Sequence, residues 1–478
     1  MSSETSLLLN SGGIESGAGR GWARAFLRMI GSAGILLGFA LLGIHFSDTK
    51  EEGTESYGPI LPMYIRGHVG KHHHSHSSLV PIEDISMFEL QSTPLTALNP
   101  DRSWHNLDLA TSFEQPTVGS DIVWNKDTST FVGLTDATPL KTKCPSDHSQ
   151  DWLPFPDFAP GMVSLGLAVD NSVTGSYASM NISGASPLKA QDGTYLTSNP
   201  PKSVNDSEKF LDSTFRDKEC RFGVFADPGG VDTEGLDGPL RDGTFVVGEE
   251  YGPSILHVKP DGTVIARYSP EMIHLPRAYY PVKPILPGVL SNKRHNRGFE
   301  SAFVIEREGK EEGCGILQSP LGDKKHSLIV RVVCVDLAEE RMSGVYLLKL
   351  DDHKRMINSA TGIQGTRFLY LERHSDKGTV YTVDADSGTN ILDHPKLDTL
   401  DFEDPDFDFD AEGITLLDKT PIFEYPNQYL EDRKIIVSSK IEGIAKVDEM
   451  TLAMTNDNDY GKSGEPSRLW LIKFNAPY

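Results

Sequence analysis

The sequence predicts an all-β protein folded as a β-propeller, and three observations carry that prediction. The stretch 231–268, VDTEGLDGPLRDGTFVVGEEYGPSILHVKPDGTVIARY, holds four short β-like runs. The turn signals Asp237-Gly238, Asp242-Gly243, Gly252-Pro253 and Pro260-Asp261-Gly262 separate them, which gives a four-stranded meander of one blade's size. The local phrase around Glu234-Gly235 also returns, as Gly298-Phe299-Glu300-Ser301, Asp410-Ala411-Glu412-Gly413-Ile414 and Lys440-Ile441-Glu442-Gly443-Ile444. A recurring supersecondary phrase marks a repeat architecture, here with spacing too irregular for WD40 or kelch repeats. Finally, 328–336, 344–350 and 367–372 alternate as antiparallel strands do. The expected ring has six or seven divergent blades, with Glu234, Glu300, Glu412 and Glu442 converging on its axis.

Four segments are expected. Residues 29–46, MIGSAGILLGFALLGIHF, carry no Asp, Glu, Lys or Arg and reach the lower length limit of a membrane-spanning helix. Arg20, Arg24 and Arg28 precede the run, while Asp48, Lys50, Glu51 and Glu52 follow. The positive-inside rule then makes 1–28 a cytosolic tail, 29–46 an uncleaved signal-anchor, and the rest lumenal or extracellular. In the tail, Glu4-Thr5-Ser6-Leu7-Leu8-Leu9 is similar to acidic dileucine signals of endosomal, lysosomal or vacuolar proteins. Residues 47–116, including Lys71-His72-His73-His74-Ser75-His76, read as a flexible stalk, and 117–478 as the propeller.

Within the propeller, 121–134 forms the first hairpin and 138–222 a long excursion rich in Pro, Ser, Asp and Asn. The sequons at Asn181 and Asn205 fit lumenal exposure. Cys144, Cys220, Cys314 and Cys334 match no zinc spacing, so three disulfide pairings stay open. The basic run Lys293-Arg294-His295 with Arg297 stands out in an acidic chain and could steer an anion. In 406–412 strict alternation puts Asp406, Asp408, Asp410 and Glu412 on one face and two Phe rings on the other. Such closely spaced hard oxygens suit Ca²⁺, although the spacing is not that of an EF-hand. Asp457 lies in Asn456-Asp457-Asn458-Asp459 at a strand end. The last strand, 469–474, is expected to pair with an N-terminal strand and so remove an exposed edge.

These phrases, taken in order, are similar to a known family. Gly119-Ser120-Asp121, Val132-Gly133-Leu134-Thr135-Asp136, Asp232-Thr233-Glu234-Gly235-Leu236 and Glu249-Glu250-Tyr251-Gly252-Pro253 open the series. Leu275-Pro276-Arg277, Asn296 to Glu300, Leu371-Glu372-Arg373, Lys440 to Gly443 and Thr455 to Asp459 complete it. The chain resembles the phytase-like family, named for the esterase-like activity of phytase, from about Gly119 to Phe474. Glu300-Ser301 stands where the family pattern has Glu-Gly, and Gly248-Glu249 where it has Ser-Asp. The resemblance implies a propeller, a ring-lining Glu-Arg pair at Glu372-Arg373, and hydrolysis of a phosphorylated substrate.

A net charge of −23 argues against a nucleic-acid partner and for cations, or for anions held through a cation. The expected activity is hydrolysis of a small phosphoester with a divalent cation, Ca²⁺ above others, in the channel. The expected catalytic carboxylates are Glu234, Glu300, Glu412 and Glu442. Asp410 and Asp457 join them as metal ligands, and Arg277, Arg297, Arg373 and Lys440 are set against the phosphate. The chain has no G-x-S-x-G elbow, H-E-x-x-H or Walker A motif. A non-catalytic binding propeller and an esterase of another design are the alternatives.

Overall fold

The computed structural model describes residues 79–104, 107–137, 142–144, 151–170, 177–199, 220, 227–273, 275, 278–322, 326–462 and 464–478. Strand β1 (Ile82–Leu90) comes first. The first blade holds β2 (Asp121–Asn125) and β3 (Thr130–Leu134), then, past the small pair β4 (Thr142–Lys143) and β5 (Asp151–Trp152), β6 (Gly161–Asp170) and β7 (Tyr177–Pro187). The second is β8 (Thr233–Asp237), β9 (Phe245–Glu249), β10 (Ser254–Val258), β11 (Val264–Pro270) and β12 (Val282–Leu286). The third is β13 (Phe299–Arg307), β14 (Lys310–Leu317), β15 (Ile329–Asp336) and β16 (Arg341–Lys349). The fourth is β17 (Met356–Gln364), β18 (Arg367–His374), β19 (Lys377–Asp384) and β20 (Lys419–Tyr425). The fifth joins β21 (Ile441–Asp448), β22 (Thr451–Asn456) and β23 (Arg468–Phe474) to β1, which also pairs in parallel with β7 at Glu89 and Leu90, so the first and fifth blades form one eight-stranded sheet.

The inner strands close a circle: β2 packs on β8, β8 on β13, β13 on β17, β17 on β21, and β21 on β2. The ring therefore has five blades among the described residues, not six or seven. Chain length misleads here because the connections β7 to β8 and β19 to β20 are long excursions that add no blade among the described residues. The meander read at 231–268 is the second blade, with β12 added in parallel to its outer strand.

The core is divided in the same way. Val246 and Phe299 meet between blades two and three, Phe303 and Phe368 between three and four, and Leu371 and Ile444 between four and five. Ile122 and Ala445 meet between five and one, and Val123 and Leu236 between one and two. Each blade is thus covered on both faces, which explains fully buried strands such as IVRVVCVD in β15, where six of eight residues are apolar and the two charged ones, Arg331 and Asp336, are ion-paired. Phe303 and Phe368 stack at 4.2 Å, and each such buried side chain contributes about 1.5–3 kcal/mol.

Strand β23 pairs with β1 from Ile82↔Phe474 to Glu89↔Arg468, so the two ends of the domain close the last blade as the sequence predicts. The strand that does so lies in the segment expected to be stalk. Residues 82–90 thus belong to the propeller, and the stalk boundary at 116 is too late. The reason lies in IEDISMFEL, where alternation is weak because the outermost strand is only half-buried. Among the described residues the α-helices are α1 (Leu107–Ser112) and α2 (Gln428–Asp432), and no helix is long and apolar enough to cross a membrane. The expected span at 29–46, the dileucine signal and the histidine tract lie outside the described residues.

The cysteines form Cys144–Cys220 and Cys314–Cys334. The second pair joins directly opposed positions on β14 and β15.

Candidate active site: a carboxylate-lined axial cavity

Three of the four repeated glutamates sit at a β-bulge on an inner strand. The register slips between Thr233 and Gly235, between Phe299 and Ser301, and between Ile441 and Gly443, so Glu234, Glu300 and Glu442 are the extra residues. A bulge re-aims a side chain out of the regular pleat, and these three line one cavity of about 370 Å³ on the ring axis. The small residue after each Glu serves packing against the next inner strand. A Cβ on Gly235 would lie 2.1 Å from the Ala302 amide nitrogen, and one on Gly443 3.0 Å from Asp121 Cα.

The fourth blade departs from this scheme. Its inner strand is β17, whose register slips between Ile357 and Ser359, so the bulge residue is Asn358 and not a glutamate. The amide orientation that satisfies both groups of Asn358 lets its oxygen accept from Arg373 Nη2 at 3.1 Å. Glu412 and Asp410, expected on the axis and as metal ligands, lie instead in an exposed loop between β19 and β20. Glu412 accepts from Lys396 Nζ at 2.6 Å, and Gly413 takes a left-handed turn at φ 69°. The alternation read at 406–412 does separate faces: Phe407 and Phe409 pack on the core while the acids face solvent. The loop is solvated because carboxylates this close repel one another unless water or a cation screens them. It is anchored by Glu403, fully buried against Arg331 Nε at 2.7 Å.

The cavity has two unlike walls. On one, Glu234, Glu250 and Glu300 bring one oxygen each within 4.8 Å of the others, and Asp136, Asp232 and Glu234 do the same. Glu300 is 5% exposed, and its Oε2 has no hydrogen-bond partner. Burial, then Glu300 and Asp136, push Glu234 well up, and burial, then Glu250 and Glu442, do the same to Glu300. Asp136 is pushed up to about 8 by burial and by the neighbouring Asp457 and Asp232.

On the other wall the acids are paired. Arg373, at the end of β18, donates to Ser439 O at 2.7 Å and to Glu442 Oε1 at 3.1 Å. Lys440 Nζ lies 3.2 Å from Glu442 Oε2 and 2.9 Å from Asp459 Oδ1, and it also contacts Asp457 Oδ2. Burial raises Glu442 to about 7, with Lys440 and Arg373 pulling the other way. Asp457 stays below the usual range although it is buried, because Lys440 and the Thr117 hydroxyl hold its charge.

Of the expected residues, the cavity brings together Glu234, Glu300, Glu442, Arg297, Arg373 and Lys440, with Asp457 behind Lys440. Arg277 and Asn205 lie outside the described residues, and Asn181 is exposed on β7. Of the basic run, Arg297 lines the cavity, where its charge partly offsets the rise of Glu300. Glu372, the other half of the expected Glu-Arg pair, turns away to Lys419 at 3.0 Å. Sequence reasoning missed Asp136, Asp232 and Glu250 as site residues, although each stands inside one of the matching phrases. For Asp232 the signal was its place two residues before Glu234 on the same strand face.

The donor set fits a hard divalent cation, since carboxylate oxygens within 4.8 Å of one another can share an ion at Ca²⁺–oxygen distances of about 2.3–2.6 Å. A cysteine-containing group, Glu312 with Cys314 and Cys334, is no metal site because both sulfurs are in the disulfide.

No curated protein sequence matches the chain. Among solved structures, the PQQ-bound aldose sugar dehydrogenase of Streptomyces coelicolor aligns over 82% of this chain and 99% of its own, at 9% identity and TM-score 0.32. A luciferin-regenerating enzyme aligns over 76% and 95% at 10% identity and TM-score 0.30. The Dos1 propeller aligns over 77% and 69% at 10% identity and TM-score 0.29. Similarities this low carry no argument about chemistry. The family model described as "Esterase-like activity of phytase" matches residues 119–460, from the start of the first blade to the cavity-lining Tyr460, and the chain belongs to that phytase-like family.

Proposed function

We propose that this protein is a hydrolase of small phosphoesters that works with a divalent cation, Ca²⁺ being the best fit, in the axial cavity. One observation carries the reading: an acidic wall, Asp136, Asp232, Glu234, Glu250 and Glu300, faces Arg297, Arg373 and Lys440 across one cavity of about 370 Å³. A bound divalent cation supplies Lewis acidity, offsetting phosphate charge and making water more acidic. Glu234, Glu250 and Glu300 would hold it. Arg297 is the residue placed to orient the phosphate, because Arg373 and Lys440 are already engaged by Glu442. Glu442, titrating at about 7, is suited to take a proton at its carboxylate from the attacking water. Arg373 and Lys440 are then positioning residues that hold Glu442 in place. Residues 29–46 are read as a membrane anchor that leaves the propeller lumenal or extracellular, with Asn181 available for glycosylation.

The test is hydrolysis of a generic phosphomonoester and of phytate by the full-length protein in detergent, with Ca²⁺ and with chelator. Cation-dependent turnover that a Glu234→Gln, Glu300→Gln double variant loses is the expected result. A folded wild type that turns over neither substrate under any divalent cation would sink the hydrolase reading in favour of a binding propeller.

A further inference from the structure

We propose that the cavity takes two divalent cations that share Glu234, and that the Lys440 ammonium fills a third carboxylate cluster in place of a metal. The inference deepens the cation-dependent reading above and rests on it for the presence of a cation. Its basis is how the carboxylates divide. Three groups of oxygens lie within 4.8 Å of one another: Glu234, Glu250 and Glu300; Asp136, Asp232 and Glu234; and Asp136, Asp457 and Asp459. They do not merge into one larger group. Asp136 and Asp232 share no such set with Glu250 and Glu300, so the two groups are separate donor sets, each suited to an ion of its own. Glu234 belongs to both groups, and a carboxylate has two oxygens, one for each ion.

The first group holds a buried oxygen without a donor: Glu300 is 5% exposed, and its Oε2, in the cavity wall, has no hydrogen-bond partner. The third group is different, because a cation is already there. Lys440 Nζ contacts Asp457 Oδ2 and lies 2.9 Å from Asp459 Oδ1. A tethered ammonium supplies one positive charge and three donors where a metal would supply two charges. The site is thereby limited to two metals, beside a fixed positive charge that no chelator removes.

The test is electron paramagnetic resonance of the full-length protein in detergent loaded with Mn²⁺, together with Ca²⁺ counting by equilibrium dialysis. Ca²⁺ is used for counting because the imidazoles of the histidine tract are poor ligands for it. Wild type should give a spin-coupled Mn²⁺ spectrum, and the isosteric Glu234→Gln an uncoupled six-line one. Lys440→Ala should bind one Ca²⁺ more than wild type. An uncoupled spectrum from saturated wild type overturns the shared pair, whatever the variants do. An unchanged Ca²⁺ count in a Lys440→Ala protein with native circular dichroism overturns the role of the ammonium. A coupled wild-type spectrum with no phosphoester turnover would support the cation pair and reject the hydrolase reading.

Discussion

The Ser359 hydroxyl donates to Asp121 Oδ1 at 2.7 Å and accepts from the Ile444 amide at 2.9 Å. Asp121 Oδ2 in turn accepts from the Leu236 amide at 2.8 Å, so inner strands of blades one, two, four and five are tied through one buried carboxylate. Asp237 does the same for the third, accepting from the amides of Val304 at 2.7 Å and Gly362 at 2.8 Å. These side chains link inner strands that are not paired with one another by backbone ladders. Ser359→Ala leaves the Ile444 amide buried without its acceptor, and is expected to cost about 1–3 kcal/mol in denaturant unfolding. Cation affinity should not change, because neither residue lines the cavity.

Close approach of the inner strands sets a second expectation. Gly235→Ala would place a methyl 2.1 Å from the Ala302 amide nitrogen and 2.4 Å from the Ser301 carbonyl carbon. Backbone cannot yield as a side-chain tip can, so this change should cost more than about 3 kcal/mol, the upper range of ordinary overpacking. Thermal denaturation measures it; a loss under 1 kcal/mol would show that the blades slide apart easily.

The acidic loop separates charge from function. Glu412→Gln removes an exposed pair with Lys396 and should leave turnover and the denaturation midpoint as in wild type. Glu403→Ala strands the fully buried Arg331, which also donates to Leu397 O and Thr399 O, and should cost about 3–5 kcal/mol. The two effects are read side by side in denaturant titrations.

Stability should depend on pH in a direction that a cation reverses. Asp136 is raised to about 8 and Glu442 to about 7, so the folded protein holds protons that the unfolded chain releases near pH 4. Their contribution is full below that value and is lost as pH rises through 7 and 8. Asp457, which is lowered, has the opposite sign, but its window lies below about pH 4. The melting temperature of chelated protein should therefore fall between about pH 5 and pH 8. Ca²⁺ at 100 times its dissociation constant should restore about 2.7 kcal/mol, and do so more at the higher pH. A chelated protein whose melting temperature rises over that interval would contradict the clustered acids.

Much of the ring was legible in the sequence because its signals are local. Turn residues and β-branched runs marked the meander at 231–268, and the pairing of the last strand with an N-terminal one followed from the need to leave no bare edge. The phrase Glu-Gly was informative for a reason the sequence does not state. It marks a bulge whose Glu leaves the pleat while its neighbour must be small enough for the next inner strand, and Glu234, Glu300 and Glu442 were found in that way. The same phrase misled at Glu412, where Glu-Gly is an exposed turn, and it had no counterpart at Asn358, the bulge residue of the fourth blade.

What the sequence determined by itself is therefore the all-β class, the family, and the inner strands that carry a Glu at a bulge. The five-blade count, the two disulfide pairings, and the addition of β1 to the last blade were decided by the tertiary structure. So was the split of the cavity into an acidic wall and a paired wall. Each depends on which distant segments meet. Asp136, Glu250 and Glu300 come from three different blades or their connections, and Lys440 reaches Asp457 at the open end of the β21–β22 hairpin. Like charges separated by a hundred residues have no energy of interaction until folding brings them together in a space too small for water to screen them.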